Sequence, residues 1–312
     1  MIDLSKVIAV FICIFTVPSE PGLLVRVAIP NHQFLLGHRF GRADPKDGLM
    51  ADTKTVLITG AGSGIGRALA IEATARGFSL IVAGRTKLTL EQTKLACQNN
   101  QICCVVSDVT TRQGRAALVD AVGPHLDILI NNAGVLSVGH IRDMSDQDLE
   151  QMTTTNLLAP MALTRDLLPA LRRAEGHIAN IGSVFGDIGY PFFAGYSATK
   201  FGLRGFSDAL RRELSGANIR VTYIAPRATR TAAETAFAGL VEPMNMTLDC
   251  ADTVASQAWD AILKGKRESF PKGAERFFVK LQRLFPSLID KSVGAQARDP
   301  KTLAAVKRLA SR

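Results

Sequence analysis

The chain has 312 residues, of which 47% are hydrophobic and 21% charged, a composition that excludes a disordered or fibrous protein. Its nearest approach to a membrane span is residues 7–17, far shorter than the roughly 18 apolar residues that a span requires, which excludes a multi-pass membrane protein. The net charge of +9 is carried by residues 264–312, with 13 Lys plus Arg and 4 Asp plus Glu, and this placement argues against a nucleic-acid enzyme with a basic cleft.

Residues 1–50 show no sustained helical or strand period of apolar side chains, and we expect an extension without packed elements there. Residues 8–17 are similar to the apolar core of a signal peptide, but only Lys6 precedes them as a basic residue and no small-residue cleavage motif follows. A true start at Met50 is the alternative that we favour, because this residue opens a short polar lead into the first predicted strand. In that case residues 1–49 are dispensable for the fold and for activity.

From Thr55 onward, short apolar runs alternate with amphipathic stretches, as in a parallel sheet that helices cover on both faces. Strands are predicted at residues 55–59, 79–83, 102–106, 128–131, 177–182 and 220–224. Helices are predicted to begin at Gly64, Lys87, Thr111, Ser145 and Tyr196, the fourth of them running through Thr155. The fold class is therefore α/β, a doubly wound parallel sheet of the Rossmann type, with one domain at residues 51–270 and a basic helical tail at residues 271–312.

A glycine-rich run, T-G-A-G-S-G-I-G at residues 59–66, stands where the first predicted strand turns into the first predicted helix. In this run Gly60 permits a tight turn, Gly64 lets the backbone approach a pyrophosphate, and Gly66 lets helix and strand pack closely. The free N–H groups at the start of the helix attract phosphate. The run predicts a dinucleotide site, with an ordinary glycine turn as the alternative. Its predicted cofactor-binding residues are Gly60, Ser63, Gly64, Ile65 and Gly66.

Tyr196 and Lys200, in the run Y-S-A-T-K, are four residues apart and would lie on the same face of a helix. A lysine ammonium beside a phenol favours the phenolate, so we expect the pKa of Tyr196 to fall from about 10 toward neutrality. Ser183 follows the fifth predicted strand and would project at the ligand edge of the sheet. The three side chains together predict proton exchange with an alcohol or a carbonyl, whereas the tyrosine and lysine alone are also typical of a solvated helix face.

In this order, the glycine-rich run, residues 131–134 (N-N-A-G), Ser183 and Y-S-A-T-K resemble the short-chain dehydrogenase/reductase family. The resemblance implies that Tyr196 is the general acid/base, that Ser183 hydrogen-bonds the substrate oxygen, and that Lys200 binds the nicotinamide ribose. It also implies that Asn156 holds a proton-relay water. An amide that is hydrogen-bonded within a helix is the alternative for Asn156.

The resemblance extends over residues 53–231 and places further residues at the cofactor. It implies contacts of Asp108 and Val109 with the adenine ring, with a helix cap as the alternative for Asp108. Arg227 departs from the family, which has a glycine at this place, so the resemblance does not specify the local backbone there. The remaining implied contacts are those of Asn132, Ala133 and Gly134 with the adenosine and of Pro226 and Thr231 with the nicotinamide.

Arg85 follows the second predicted strand, 19 residues after Gly66, where NAD-selective sites of this fold carry an acidic residue for the ribose 2′-hydroxyl. A guanidinium there can bind a 2′-phosphate through charge-assisted hydrogen bonds, and Lys87 adds a second charge. We therefore predict NADP(H) rather than NAD(H), with Arg85 as a solvated loop residue being the alternative. Ser63 lacks the basic side chain that some NADP-binding relatives carry at this position.

The segment of residues 231–249 corresponds to the substrate lid of the family, and it carries Phe237, Leu240, Val241, Met244 and Met246, while Phe192 and Phe193 precede Tyr196. These side chains predict either an apolar pocket for a lipophilic ketone, aldehyde or secondary alcohol, or ordinary core and dimer packing.

Residues 277–288 alternate Phe and Leu with basic residues at helical spacing, which predicts a basic amphipathic helix. That helix packs on the domain with a solvated basic face, or it contacts a membrane surface.

The sequence therefore predicts an NADP(H)-dependent oxidoreductase of carbonyl reductase type that acts on a small carbonyl or alcohol substrate and forms a homo-oligomer. The alternative is a non-catalytic NADP-binding regulatory protein, which would not need Ser183, Tyr196 and Lys200 together. We expect neither a nucleic-acid partner nor a metal site. The five cysteines are odd in number and contain no C-x-x-C pair, which indicates a reducing, cytoplasmic compartment, peripheral to the inner face of a membrane if the basic tail binds lipid.

Overall fold

The computed structural model describes residues 53–98 and 101–310. The predicted extension at residues 1–50 and the alternative start at Met50 lie outside the described residues. The strands are Thr55–Thr59 (β1), Ser79–Gly84 (β2), Ile102–Val106 (β3), Ile128–Asn131 (β4), His177–Ile181 (β5), Arg220–Ile224 (β6), Thr229–Arg230 (β7), Asp249–Cys250 (β8) and Glu268–Ser269 (β9). Within the described residues, seven of them form one parallel sheet in the order β3-β2-β1-β4-β5-β6-β9, while β7 and β8 form a separate parallel pair.

The helices run between the strands and continue beyond the last one. They are Gly64–Ala75 (α1), Lys87–Cys97 (α2), Arg112–Val122 (α3), Asp146–Thr153 (α4), Ala159–Arg173 (α5), Ala194–Glu213 (α6), Ala238–Val241 (α7), Ala251–Leu263 (α8), Glu275–Leu284 (α9), Pro286–Gln296 (α10) and Pro300–Ala310 (α11). A π-helical turn, Thr154–Leu158, joins α4 to α5. Among the described helices, none is long and apolar enough to cross a membrane.

The doubly wound α/β fold is confirmed, with the strand order reversing between β1 and β4. In such sheets the reversal opens a crevice at the carboxyl ends of the strands. Leu57 of β1 lies opposite Ile81 of β2 and Leu129 of β4, so three apolar runs are held in register at the centre of the sheet. The switch point therefore lies directly beyond the glycine-rich run that follows β1.

Most predicted bounds agree with the structure to within one or two residues. The first, third, fourth and sixth predicted strands match β1, β3, β4 and β6, whereas β2 extends to Gly84 and β5 ends at Ile181. Thr111 and Ser145 are N-cap residues whose hydroxyls accept from backbone N–H groups, so α3 and α4 each begin one residue later than predicted. Helix α6 begins two residues before Tyr196. The short strand β9 was not predicted.

Two apolar layers hold helices on opposite faces of the sheet. Because successive strand side chains alternate, Val56 and Ile58 pack with α1 and α8, while Leu57 packs with α3, α5 and α6. Trp259 of α8 is fully buried in the first layer, where its indole N–H donates to the Leu69 carbonyl at 3.0 Å. These layers fix the central strands and hence the positions of the loops at their carboxyl ends.

A third apolar cluster lies outside the sheet, where the segment after β7 meets the last helix. Phe237, Leu240 and Met244 pack against Phe192 and Phe193 and against Ala305 and Val306 of α11. The C-terminal tail is therefore folded into helices, and its last helix supports the segment that was predicted to be the substrate lid.

Candidate active site

A cleft of about 460 Å³ opens at the carboxyl ends of the strands, at the switch point. With the exception of Asn156, all the predicted site residues line it: Gly60, Ser63, Gly64, Ile65, Gly66, Arg85, Asp108, Val109, Asn132, Ala133, Gly134, Ser183, Tyr196, Lys200, Pro226 and Thr231. The fold thus brings together residues that are up to 171 positions apart in the chain. Asn156 lies behind the wall of the cleft, which its neighbour Thr155 lines.

The glycine-rich run forms the tight turn that its sequence predicts. Gly60 has a φ of +64°, and a Cβ at this residue would lie 2.8 Å from the Ala133 Cα. A Cβ at Gly66 would collide with the Gly60 carbonyl, so the start of α1 can pack on the turn only with glycine at this position. Both glycines are therefore needed for the close approach of backbone segments around the cleft.

The loop after β4 holds this turn in place. The Asn132 side-chain amide donates to the carbonyls of Thr59 and Gly60, at 2.9 and 3.2 Å. In return, the Thr59 hydroxyl accepts from the backbone N–H groups of Asn132 and Ala133, at 3.0 and 3.1 Å. Asn132 thus stabilises the predicted phosphate-binding turn from the side of the adjacent strand.

The residues around the turn fit a dinucleotide. Ser63, the N-cap residue of α1, makes no side-chain cap hydrogen bond, and the first turn of this described helix holds no acidic residue. Its N–H groups and the positive end of the helix dipole therefore favour a phosphate. The exposed Arg85 and the buried Lys200 both line the same cleft.

Asp108 does not cap α3, contrary to the alternative weighed for it. Thr111 is the N-cap residue, and its hydroxyl accepts from the Gly114 N–H at 2.9 Å. The Asp108 carboxylate accepts instead from the Thr110 N–H and hydroxyl, at 2.9 and 2.7 Å. Although desolvation acts in the opposite direction, these hydrogen bonds and the charge of Arg85 lower the pKa of Asp108.

Tyr196 and Lys200 lie on one face of α6, as their spacing predicts. The Lys200 ammonium is 5.6 Å from the centre of the Tyr196 ring and donates to the Ile181 carbonyl at 2.9 Å. Burial lowers the pKa of Lys200 to about 8. It also raises the pKa of Tyr196 to about 12, because desolvation outweighs the hydrogen bond with Ser183 that acts in the opposite direction.

The prediction of a lowered tyrosine pKa is therefore wrong for this arrangement of side chains. The Lys200 ammonium faces the aromatic ring and is bonded to a backbone carbonyl, so its charge is not directed at the phenol oxygen. A phenol of pKa about 12 keeps its proton at neutral pH.

Ser183 begins a short 3-10 turn, Val184–Gly186, directly after β5. Its hydroxyl accepts from the Phe185 N–H at 3.1 Å. The Ser183 backbone is held by Tyr223 of β6, whose hydroxyl accepts from the Ser183 N–H at 3.3 Å and lies 3.2 Å from the Ser183 carbonyl and 3.4 Å from the Lys200 carbonyl. One buried hydroxyl therefore joins the backbones of two predicted catalytic residues.

Sequence reasoning missed Tyr223, although the chain carries a signal for it. A Cβ at Gly182 or at Gly186 would collide with the Tyr223 ring, so the two glycines that flank the Ser183 turn make the space that the ring fills. Arg204 of α6 lies over the other part of the ring, with its guanidinium carbon 5.0 Å from the ring centre. The ring is thus fixed from both sides.

Asn156 lies in the π-helical turn and is almost completely buried. Its side-chain oxygen accepts from the Val135 N–H at 2.8 Å, and its amide donates to the Val135 carbonyl at 2.9 Å and to the Thr199 hydroxyl at 3.2 Å. These three bonds run to other segments of the chain, so they differ from the alternative of an amide hydrogen-bonded within a helix. They join the loop after β4 to α6, one residue before Lys200. A role for Asn156 with a relay water stays a prediction.

Arg227, the departure from the family pattern, lies at the wall of the cleft and joins three segments. Its guanidinium binds the Asp249 carboxylate of β8 at 2.7 Å and the Glu275 carboxylate at the start of α9. These two ion pairs form what we call the Arg227 fork. The arginine that replaces a glycine here therefore attaches the C-terminal helices to the segment that follows β6.

The cleft is apolar at the end beyond Tyr196, where Leu136, Phe185, Phe193, Phe237 and Met246 line it. The other predicted apolar residues of this region, Phe192, Leu240 and Met244, pack in the cluster behind the wall. Both alternatives weighed for these side chains are therefore realised, a pocket wall for some of them and core packing for the rest.

Comparison with known proteins gives consistent matches. Residues 54–238 match the family model described as "short chain dehydrogenase". The protein named dehydrogenase/reductase SDR family member 7B is 38% identical over 183 residues in Bos taurus, which is 55% of this chain and 56% of the bovine protein. The Mus musculus protein of the same name is 32% identical over 262 residues, 78% of this chain and 81% of that protein. Human retinol dehydrogenase 16 is 36% identical over 57% of this chain and 58% of its own length.

Solved structures with the same fold hold both nicotinamide dinucleotides. A short-chain dehydrogenase from Sphingobium yanoikuyae in complex with NADPH is 28% identical, with a TM-score of 0.67, and the match covers 76% of this chain and 95% of that one. A Burkholderia phymatum protein in complex with NAD is 24% identical, with a TM-score of 0.70 and the same coverage, and this likeness concerns the fold alone.

Proposed function

The chain belongs to the short-chain dehydrogenase family, and we propose that it is an NADP(H)-dependent oxidoreductase, of carbonyl reductase type, that acts on a lipophilic carbonyl or secondary alcohol. The single observation that carries this proposal is the convergence of Ser183, Tyr196 and Lys200 on one cleft whose opposite end is the glycine-rich turn. A non-catalytic nucleotide-binding protein would have no need of this convergence.

The cofactor binds to the glycine-rich turn, the start of α1 and Arg85. The turn at residues 60–66 and the first N–H groups of α1 bind the pyrophosphate, and Asn132 keeps that turn in shape. Arg85 binds the 2′-phosphate that distinguishes NADP(H) from NAD(H), because its exposed guanidinium lies at the cleft and can make two charge-assisted hydrogen bonds. When bound, the nicotinamide supplies or accepts the hydride.

Proton transfer is assigned to Tyr196, supported by Ser183 and Lys200. Since burial raises the pKa of Tyr196 to about 12, the phenol keeps its proton at neutral pH and can give it to the oxygen of a carbonyl substrate. Ser183 interacts with the phenol and can donate to the same substrate oxygen. This protonation state favours carbonyl reduction over alcohol oxidation, which requires the tyrosine to accept a proton.

The substrate class follows from the apolar end of the cleft. Phe185, Phe193 and Phe237 form an aromatic wall beside Tyr196, and the edge of Phe185 lies against the Tyr196 ring with 6.3 Å between ring centres. Apolar pockets with a few polar groups at one end bind lipophilic ligands and orient them through the polar end. The relative named retinol dehydrogenase 16 is consistent with a lipophilic substrate.

A panel of carbonyls and alcohols tests this function. Each member is offered with NADPH and with NADH, and the nicotinamide absorbance is followed for the wild-type protein and for Tyr196→Phe. We expect NADPH-dependent reduction that increases with the length of the apolar chain of the substrate and that Tyr196→Phe abolishes. Binding of NADPH without turnover of any member would instead support the regulatory alternative.

The same proposal includes a homo-oligomer and a cytoplasmic location. The compartment rests on the odd number of cysteines without a C-x-x-C pair, which is typical of reducing surroundings. Light scattering of the purified protein measures the oligomeric state, and imaging of the tagged full chain measures the location.

A further inference from the structure

Helix α9 is attached to the domain through two of its charged side chains. Glu275, in its first turn, binds Arg227 at the cleft wall, and Arg283, in its last turn, binds Asp187 at 2.8 Å. The Asp187 side chain is 1% exposed and also binds Arg204 at 3.0 Å. Within this helix only Val279 is buried. Two ion pairs, together with the apolar cluster of Val279 and Ile188, therefore hold α9 on the domain.

The apolar side of α9 consequently faces outward. Phe277 and Leu284 are 63% and 71% exposed, and the neighbouring turn into α10 adds further large apolar side chains. We call this surface the aromatic patch; its residues are Phe277, Phe278, Leu284, Phe285 and Leu288, all of them exposed. The single amphipathic helix that was predicted at residues 277–288 is two helices, α9 and α10, which meet at Phe285. Of its predicted apolar face only Leu281 packs on an apolar cluster, so the alternative of a helix packed on the domain holds for a small part of that face.

The orientation is costly to reverse. Rotating α9 to bury the aromatic patch would separate Arg283 from the buried Asp187 carboxylate and Glu275 from Arg227. Asp187 would then keep only Arg204, and Arg227 only Asp249, so two largely buried charges would each lose one of their two partners, which is unfavourable. The patch thus stays outside, although five contiguous apolar side chains in water are unfavourable and typically mark a surface that binds another phase or molecule.

Exposed basic side chains accompany the patch. Lys272, Arg276, Lys280 and Lys291 are exposed on the same two helices or directly before them. Residues 264–312 carry the whole net charge of +9. Two copies of the chain that met through this surface would bring like charges together, whereas an anionic surface would be attracted.

We propose that the aromatic patch inserts into the interface of an anionic lipid bilayer, with the accompanying lysine and arginine side chains at the headgroups. A helix with Phe and Leu on one face and basic residues beside them lies in the plane of a bilayer interface, with its apolar face below the headgroups. The acidic headgroups then attract each nearby basic residue. This contact needs no membrane-spanning helix.

Co-sedimentation of the full chain with vesicles tests the proposal. The vesicles are phosphatidylcholine alone or phosphatidylcholine with about one third phosphatidylserine, a content that gives a negative surface potential. The patch variant is Phe277→Ser with Leu284→Ser. The matched control is Leu95→Ser with Leu263→Ser, since these two leucines are also exposed but lie on other helices, α2 and α8.

We expect the wild-type protein and the control to bind anionic vesicles. Both should bind neutral vesicles more weakly, and their binding to anionic vesicles should decrease at high salt. We expect the patch variant to lose at least about tenfold in its partition onto anionic vesicles, as apolar burial and headgroup attraction act together. Circular dichroism of every variant verifies the fold.

Two results would overturn the proposal. One is binding of the patch variant equal to that of the wild type, which would assign membrane binding to another part of the chain. The other is no vesicle binding by the wild type; if the oligomeric mass then falls in the patch variant, the occupant of the patch is a second copy of the chain, and if the mass is unchanged, a protein partner is the remaining occupant.

Discussion

Tyr223→Phe removes the hydroxyl that joins the backbones of Ser183 and Lys200 and leaves the ring in place. The Ser183 N–H then loses its acceptor, whereas the Ser183 carbonyl keeps the Gly186 N–H at 2.9 Å. An unsatisfied buried N–H costs about 1 to 3 kcal/mol of unfolding free energy, and in a domain of this size that lowers the Tm by roughly 2 to 10 °C.

We expect this variant to lose activity as well, because the Ser183 turn is no longer fixed beside Tyr196. Misplacement of a reacting group by an ångström can lower the reaction rate about 100-fold. A smaller shift of the Ser183 hydroxyl should therefore lower kcat by about tenfold. The Michaelis constant for NADPH should stay unchanged, since Tyr223 does not line the cleft. The assay follows NADPH oxidation with a carbonyl that the wild-type protein reduces, alongside urea unfolding.

Thr222→Val is the matched control for this prediction. Thr222, the preceding residue of β6, is fully buried, and its hydroxyl bonds His177 at 2.8 Å on the other face of the sheet. This variant should lose a similar free energy of unfolding but keep kcat. If Tyr223→Phe also keeps kcat while losing stability, the Tyr223 hydroxyl is only structural and the reasoning about Ser183 fails.

Three further predictions concern Tyr196 and Arg85 in the cleft and His177 at the start of β5. Tyr196→Phe should keep the fold and NADPH binding and lose about 10² to 10⁴ in kcat, the usual contribution of a proton donor; turnover within about threefold of wild type would remove the assignment. Arg85→Asp should raise the Michaelis constant for NADPH at least tenfold, about 1.4 kcal/mol, and spare NADH; equal use of both dinucleotides by the wild type would contradict it. Burial lowers the pKa of His177 from 6.5 to about 3, so only the unfolded chain takes up a proton between these values, and stability should fall as the pH falls. Urea unfolding should show a loss of about 2 kcal/mol between pH 6.5 and about pH 5, and His177→Gln should lack most of this slope.

The central fold could be predicted because buried parallel strands are short, nearly continuous apolar runs between amphipathic helices. Strands such as Ile128–Asn131 therefore have a clear signal in the sequence. Glu268–Ser269 has none, because two polar residues become a strand only by pairing with Tyr223 and Ile224. Its position depends on tertiary contacts that no local pattern encodes.

The sequence predicted which residues form the site, but not how the structure shifts their pKa values. Spacing placed Tyr196 above Lys200, yet the direction of the tyrosine pKa depends on how far burial exceeds the effect of the neighbouring charge, and sequence does not show burial of a polar group. Similarly, the period of residues 277–288 indicated an amphipathic helix but not which face lies inward. That was decided by the partners of Glu275 and Arg283, which lie far away in the chain.

The Arg227 fork makes the C-terminal helices an integral part of the catalytic unit and not an interchangeable module. A chain shortened before Glu275 would leave the Arg227 guanidinium with Asp249 alone. It would also remove Ala305 and Val306 from the cluster that holds Phe237 and Leu240. Tail deletion would therefore disturb the cleft and remove the aromatic patch at once. Grafting this tail onto a homologous domain with glycine at that position would likewise transfer the aromatic patch without the anchor that orients it.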